Sequence, residues 1–388
     1  MMGKTLLEVS GSCESRFESV QAVLEEQLQS GAELGASLYV DLDGKGVVDI
    51  WGGFRDVSRN VPWTRDTLTN VWSTTKAVTS LAALLLVDRG LLDVDAPVRT
   101  YWPEFAASGK KSVLVRHLLS HTSGVSGWEK PCTLQDIYET RAAAARLAMQ
   151  APWWEPGTAS GYHGMNFGHL VGELIRRITG QSLRSFVAAE LAGPLGADFQ
   201  IGVSPADWHR IADLVPPALE PHALDALDPA TPMYKTLTSP LTPADVANTA
   251  DWRLAEIGAA NGHGTAAGLA RLLSAISREG VIDGLHLLSS ETIDLALKEQ
   301  ASGVDLVIGL PMRWGMGFAL PEEHTFPYIP DGRVCFWGGW GGSIVVMDLE
   351  RHLTLAYTMN KMGGGVVGSE RTEAYVSAAY HALRKMGS

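Results

Sequence analysis

Strand-like segments lie near both ends of this chain, and a long helix-rich stretch separates them. Residues 37–41 and 47–51 are largely apolar and flank an Asp-Gly pair, which is typical of a β-hairpin. Residues 343–349 and 353–359 predict a second hairpin near the other end. The sequence therefore predicts one antiparallel sheet that is built from both termini, with the middle of the chain packed as an inserted helical region.

Apolar residues at helical spacing predict the main helices. One helix carries the side chains of Phe17 to Leu28, and another carries those of Phe167 to Ile178 and stops at Gly180. A further helix is expected to end near Met386. We expect residues 1–70 and 255–388 to form an α/β domain and residues 71–254 a mostly helical domain, with the active site at their junction.

Composition narrows the classes of partner. Of the 388 residues 46% are hydrophobic and 19% are charged, which is sufficient for a large core. The net charge of −12 argues against nucleic acid or an anionic membrane as the main partner, because both favour basic surfaces. The sequence does not indicate an oligomeric state.

The cysteines and the hydropathy pattern predict a cytoplasmic location. Cys13, Cys132 and Cys335 are too few and too scattered for a disulfide framework or a paired metal site. The first twenty residues lack the apolar core of a signal peptide, and no uncharged run approaches the length of a membrane span.

A candidate nucleophile lies in the sequence Ser73-Thr-Thr-Lys76. The pattern Ser-x-x-Lys also occurs at Ser108–Lys111, but Ser108 lies in a polar stretch, whereas the apolar run 81–87 that follows Ser73 predicts a buried helix. Residues i and i+3 share a helix face, so Lys76 lies beside Ser73. Burial lowers the pKa of a lysine, so that its amine can be neutral and accept the proton of the serine.

The chain resembles the serine hydrolases of the class C β-lactamase and penicillin-binding-protein fold, and most closely the family VIII carboxylesterases. Ser-x-x-Lys is itself a known signature of penicillin-binding proteins. The resemblance covers about residues 20–385 and implies a β-lactamase/transpeptidase-like fold of the α/β (α+β) class, with an antiparallel sheet flanked by helices. Its motifs, in the expected order, are residues 72–77, 116–124, 156–163, 194–196, 262–265 and 337–343.

The resemblance assigns the second catalytic role to Tyr162. The family usually has Tyr-x-Asn at this place, and its phenol relays protons between the serine and the leaving group. Here the triplet is Tyr162-His163-Gly164, so the asparagine that holds the side-chain amide of a lactam is missing. This difference favours simple esters, and we expect His163 to contribute to substrate binding.

The third element of the family is normally Lys-Thr-Gly or His-x-Gly, and its place is taken by Trp337-Gly338-Gly339. A glycine pair lets the backbone approach the substrate closely. The resemblance then implies that the backbone N–H groups of Ser73 and Trp340 hold the oxyanion. Lys361-Met362-Gly363 is a second candidate for this third element. It follows the final strand, so we rank it below Trp337-Gly338-Gly339.

Two histidines and several tryptophans are further candidates for metal or substrate binding. His117 and His121 have the i, i+4 spacing of a metal pair, but no third ligand is evident, and we predict neither a metal nor a cofactor. Of the twelve tryptophans, we expect Trp337 and Trp153 to touch substrate. Those that the resemblance assigns to segments around the cleft are Trp128, Trp153, Trp154, Trp314, Trp337 and Trp340.

The predicted function is that of a carboxylesterase that hydrolyses small-molecule esters of short acyl chains through an acyl-enzyme on Ser73. The catalytic residues are Ser73, Lys76 and Tyr162, with Lys76 and Tyr162 as general base and acid. A β-lactamase, a D-amino-acid peptidase or an acyltransferase that uses the same serine remains open. A catalytically inactive binding module on this fold is the alternative of another class.

Overall fold

The computed structural model describes residues 8–218, 224 and 226–384. Its strands are β1 (Ser10–Cys13), β2 (Gly35–Leu42), β3 (Lys45–Gly53), β4 (Thr69–Asn70), β5 (Phe199–Ile201), β6 (Gly262–Gly264), β7 (Val281–Ile282), β8 (Leu285–His286), β9 (Ala301–Val304), β10 (Pro311–Trp314), β11 (Val334–Gly338), β12 (Ile344–Asp348) and β13 (Leu353–Met359).

The helices alternate with loops and short 3₁₀ turns. They are α1 (Glu18–Ser30), α2 (Thr75–Asp88), α3 (Val115–Leu119), α4 (Leu134–Tyr138), α5 (Thr140–Met149), α6 (Phe167–Thr179), α7 (Leu183–Val187), α8 (Gly193–Leu195), α9 (Pro232–Thr238), α10 (Ala250–Leu254), α11 (Ala266–Ser277), α12 (Ser290–Leu297) and α13 (Glu370–Arg384). Within the described ranges, no helix has both the length and the apolar character to cross a lipid bilayer.

The main sheet joins the two ends of the chain. Its six strands run in the order β1-β3-β2-β13-β12-β11, and each neighbouring pair is antiparallel. The central pairing is between β2 and β13, with Tyr39 opposite Ala356. The predicted antiparallel sheet from both termini is confirmed, and so are the two hairpins. The proposed domain boundaries at residues 70 and 255 stay predictions.

Both faces of this sheet are covered by helices. On β13, the Thr354 hydroxyl lies 2.7 Å from that of Ser277 on α11, whereas the ring of Tyr357 packs on Tyr375 of α13. Side chains three positions apart on a strand point to opposite faces, so α11 and α13 lie on opposite sides. This arrangement explains why all seven residues of β13 are buried.

The predicted helices form largely where the apolar spacing indicated. Helix α1 buries Val20, Leu24 and Leu28, and α6 ends at Gly180, whose φ of 77° is the left-handed conformation of a helix C-cap. The predicted end of the last helix near Met386 lies outside the described residues. Among the described residues of the helical middle, one strand is found: β5 pairs with β6, which also pairs with β4.

A buried ion pair ties the C-terminal helix to the rest of the sheet domain. The carboxylate of Glu33 accepts hydrogen bonds from Arg371 (2.5 Å), from Tyr357 and from Tyr375 (3.3 Å). Glu33 is fully buried, and Arg371 also donates to the carbonyl of Lys361 at 2.7 Å. The pair therefore joins the loop after α1, strand β13 and helix α13.

We predict that Glu33→Ala lowers the free energy of unfolding by about 3–5 kcal/mol, because it leaves the buried Arg371 guanidinium without its counter-charge. The matched control is Glu299→Ala, which removes the partner of Arg313 in a pair whose side chains are both about two-fifths exposed. This control is expected to cost at most about 1 kcal/mol. Urea unfolding of the two variants measures the difference, and equal costs would show that the buried pair does not tie α13 down.

Candidate active site

Ser73 lies in a 3₁₀ turn, Trp72–Thr74, directly before helix α2. The hydroxyl of Thr75 donates to the Trp72 carbonyl at 2.5 Å, and it accepts a hydrogen bond from the Gly262 amide of β6 at 2.9 Å. Strand β6 thus fixes the turn from outside. As a result Ser73 is partly exposed at the start of a helix that is otherwise almost entirely buried.

Lys76 lies one turn further along and points back at Ser73. Its Nζ is 3.0 Å from the Ser73 Oγ, and it also donates to the carbonyl of Ala259 at 2.9 Å. The residue is 1% exposed, and burial lowers the pKa of its amine well below the usual value. The predicted Ser73–Lys76 pair is therefore in hydrogen-bond contact, and the amine is suited to accept a proton.

Tyr162 faces the same amine from the other side. The Lys76 Nζ lies 4.6 Å from the centroid of the phenol ring, and the Trp337 indole donates to the phenol oxygen at 3.2 Å. Burial raises the pKa of Tyr162, while its hydrogen bonds with Ser73 and Trp337 act in the opposite direction. The phenol therefore keeps its proton at neutral pH and is available as a donor. The structure brings Ser73, Lys76, Tyr162 and Trp337 together.

The end of β11 packs against the turn that carries the serine. A Cβ at Gly339 would lie 2.2 Å from the carbonyl oxygen of Val71, so only glycine allows this approach. The Ser343 hydroxyl donates to the same carbonyl at 2.9 Å, and the ring of Trp340 packs on that of Trp72, with centroids 5.2 Å apart. These contacts hold the backbone of residues 338–340 beside Ser73. The oxyanion role of the Ser73 and Trp340 amides stays a prediction.

His163 and Trp153 occupy different surroundings from those of Ser73, Lys76 and Tyr162. His163 is completely buried, and its ring nitrogens lie 2.6 Å from the Ser123 hydroxyl and 2.8 Å from the Gly161 carbonyl. Trp153 is partly exposed, and its indole N–H donates to the carboxylate of Glu129. A contact of either residue with substrate stays a prediction, and the bonded ring of His163 is better suited to holding the main chain beside Tyr162.

An aromatic cluster surrounds the phenol. It consists of His121, Tyr162, Trp314 and Trp337. The ring of Trp314 is stacked with that of Tyr162 at an angle of 6°, and it also packs on Trp337, with centroids 4.8 Å apart. His121 packs on Trp314 at 4.4 Å, and its Nδ1 accepts the backbone N–H of His163 at 3.1 Å. Burial lowers the pKa of His121, so its ring is neutral.

Sequence reasoning missed three groups that support the site. Asp305 accepts the backbone N–H of Tyr162, the carbonyl of Ala259 accepts from Lys76, and Ser343 holds the turn before Ser73. The only local signal for Asp305 was an acidic residue within the apolar stretch 304–308. Ser343 ends the motif 337–343 but was given no role of its own, and Ala259 lies in a segment with no distinguishing pattern.

The other candidate residues from the sequence, Ser108, Lys361 and His117, form hydrogen bonds with groups outside this site. Ser108 donates to the Met149 carbonyl at 2.7 Å, and Lys111 is exposed. Lys361 donates to the Gly31 carbonyl at 2.5 Å, at the end of α1. His117 accepts from its own helix cap, the Leu114 amide, at 3.3 Å. In the part of the chain that the structure describes, no three metal-ligating side chains come together.

Comparisons with known proteins agree with this geometry. The beta-lactamase family model matches residues 20–380. The esterase/beta-lactamase LipL of Mycobacterium tuberculosis is 33% identical over 97% of this chain and 88% of its own length. A crystal structure of a family VIII carboxylesterase superposes with a TM-score of 0.91 at 38% identity, over 97% of this chain and all of the other.

A second solved structure is similar to this chain to nearly the same degree. The penicillin-binding protein homologue of Caulobacter crescentus has a TM-score of 0.90 and 38% identity, with 97% of this chain and all of the other covered. The family model spans nearly the whole chain, and these relatives are similar along their full fold. The chain therefore belongs to the beta-lactamase family of serine hydrolases.

Proposed function

We propose that this protein is a carboxylesterase that hydrolyses short-chain acyl esters through an acyl-enzyme on Ser73. The observation that carries the proposal is the buried Lys76 amine at 3.0 Å from the Ser73 hydroxyl. An amine that burial keeps unprotonated is a competent base for a serine. The similarity to LipL and to a family VIII carboxylesterase supports the ester substrate.

The proposed reaction uses both neutral groups. Lys76 takes the proton of Ser73 while the serine oxygen attacks the ester carbonyl carbon, and the N–H groups of Ser73 and Trp340 hold the oxyanion. Tyr162 then gives its proton to the departing alkoxide and regains one from Lys76. Water repeats these steps on the acyl-enzyme and releases the acid.

The surroundings of the serine support the proposed preference for short acyl chains. Ser73 is only partly exposed, and the indoles of Trp337 and Trp340 lie on the strand end beside it. Large rigid side chains leave less room for a long acyl chain than small ones do. An aromatic, uncharged lining also suits an ester that carries no charge.

We predict that Ser73→Ala lowers turnover of a p-nitrophenyl ester by roughly 10⁴-fold or more, because the covalent route is lost. A fluorophosphonate should label the wild type at Ser73 and leave Ser73→Ala unlabelled. Ser108→Ala, at the second Ser-x-x-Lys pattern, is the matched control and should keep full activity. Unlabelled Ser73 in folded wild-type protein would refute the proposed function, and p-nitrophenyl butyrate should be hydrolysed faster than the palmitate.

We predict that kcat/KM falls as the pH falls through the pKa of Lys76, because the protonated amine can no longer accept the serine proton. Since burial lowers that pKa, the midpoint of this acid limb should lie well below 10.5. Lys76→Arg should lose about 10²–10⁴-fold in rate, because a guanidinium stays protonated.

The control for the lysine variant is Lys110→Arg. Lys110 is also buried, and burial lowers its pKa to about 8, but it donates to the carbonyl of Ala107 at 3.0 Å and has no part in the site. Its replacement should leave the pH profile unchanged. An acid limb centred near 10.5, or an active Lys76→Arg, would contradict the role of Lys76 as base.

A β-lactamase activity is the second candidate, because LipL is described as an esterase/beta-lactamase. Two differences from the lactamase pattern stand against it here: Gly164 replaces the asparagine of Tyr-x-Asn, and Trp337 replaces the lysine of Lys-Thr-Gly. We expect kcat/KM for p-nitrophenyl butyrate to exceed that for a chromogenic cephalosporin. Faster cephalosporin cleavage by the same Ser73-dependent enzyme would reverse this order.

A further inference from the structure

The carboxylate of Asp305 is completely buried, and no ion pair of it is found among the described residues. Four N–H groups donate to it instead. The backbone amides of Tyr162, Val307 and Ile308 each lie 2.9 Å from Oδ1, and the indole Nε1 of Trp314 lies 3.2 Å from Oδ2. A buried carboxylate is costly unless such bonds satisfy it, so its surroundings are built to retain it.

Two of these bonds act on Tyr162. One fixes its backbone amide directly. The other holds the Trp314 indole, whose ring is stacked on the phenol at 6° with centroids 5.9 Å apart. Trp314 in turn packs on Trp337, which donates to the phenol oxygen at 3.2 Å. Asp305 therefore reaches the phenol both through the main chain and through the ring stack.

The loop that carries Asp305 is also bound to the segment of Tyr162. The amide of Leu306 donates to the carbonyl of Ser160 at 2.8 Å. Within the loop, the Gly309 amide donates to the Asp305 carbonyl at 2.8 Å, and the Asp305 amide donates to the Leu310 carbonyl at 3.0 Å. The carboxylate is thus held on a closed turn that is bonded to the segment of Tyr162.

We propose that Asp305 is a positioning residue, which sets the phenol of Tyr162 in line with Ser73 by holding its backbone amide and, through the Trp314 indole, its ring. This inference rests on the proposed function, since it assumes proton transfer through Tyr162. Proton transfer requires hydrogen-bond reach, and a displacement of about 1 Å can cost on the order of 100-fold in rate.

Asp305→Asn tests the link to the ring selectively. The amide oxygen can keep accepting the three backbone N–H groups, whereas the amide NH₂ then faces the Trp314 N–H and that bond is lost. Trp314→Phe breaks the same bond from the other side and keeps an aromatic ring. Each variant should lower kcat for p-nitrophenyl butyrate by about 10- to 100-fold with KM unchanged. The double variant should fall no further than the worse single one, because both remove one bond.

The decisive comparison uses a Tyr162→Phe background. If Asp305 acts by positioning the phenol, Asp305→Asn should have no further effect once the phenol oxygen is gone. A merely structural carboxylate would lower the residual rate by the same factor as in the wild type. Where turnover is too slow, the rate of fluorophosphonate labelling of Ser73 provides the same comparison.

Asp88→Asn is the matched control. Its carboxylate accepts the amide and hydroxyl of Ser289 (both 2.6 Å) and the Thr292 hydroxyl (2.8 Å), at the start of α12. It should lower the thermal midpoint and leave kcat unchanged. Wild-type kcat in both Asp305→Asn and Trp314→Phe, or an equal loss in the Tyr162→Phe background, would overturn the inference. Absence of Ser73-dependent turnover in the wild type would instead refute the proposed function.

Discussion

The site depends on the burial of one amine. Lys76 is 1% exposed, and among the residues that the structure describes its hydrogen-bond partners are the Ser73 hydroxyl and the Ala259 carbonyl, with no carboxylate. A lysine in such a place gives up its proton, because the charged form loses far more hydration than the neutral form. Lys76 is buried because helix α2, which carries it, is buried on nearly all sides. The fold therefore favours the neutral form of the proposed base.

A second constraint is the close approach of backbone to backbone at the serine. Gly339 lies where any Cβ would collide with the Val71 carbonyl, and Ser343 bonds to that same carbonyl. The six-stranded sheet positions Gly339 for this contact, because Gly339 directly follows β11, the edge strand that pairs with β12. Pairing of the two chain ends in one sheet is thus a condition for placing the strand end beside α2.

Local patterns were sufficient to predict the parts of the fold that local interactions form. The hairpins β2–β3 and β12–β13 and the helix α6 followed from alternation, turn residues and a C-terminal glycine. The strands β4, β5 and β6 have only two or three residues each, and they exist because distant segments meet. No periodicity over so few residues can indicate them.

The candidate site divides in the same way. Ser73 and Lys76 are three residues apart, so helix geometry alone predicts their contact. Tyr162 and Trp337 required the order of motifs in a family. The bond between Asp305 and the Tyr162 amide joins residues 143 positions apart, and the ion pair of Glu33 and Arg371 spans 338 positions. Such contacts depend on the finished fold, and the sequence marks them only as polar residues in apolar surroundings.

Burial has opposite effects on the pKa values of Lys76 and Tyr162, the two groups that we propose transfer protons. The same exclusion of water lowers the pKa of Lys76 and raises that of Tyr162, so it favours the neutral form of both groups. His121 and His163, which burial also keeps neutral, add no charge beside them. Trp337 contributes an indole N–H where the lactamases have a lysine, so it polarises the phenol without a fixed positive charge. In the proposed reaction, a neutral base paired with a neutral acid suits an uncharged ester, because the negative charge that develops on attack is assigned to the backbone amides of Ser73 and Trp340.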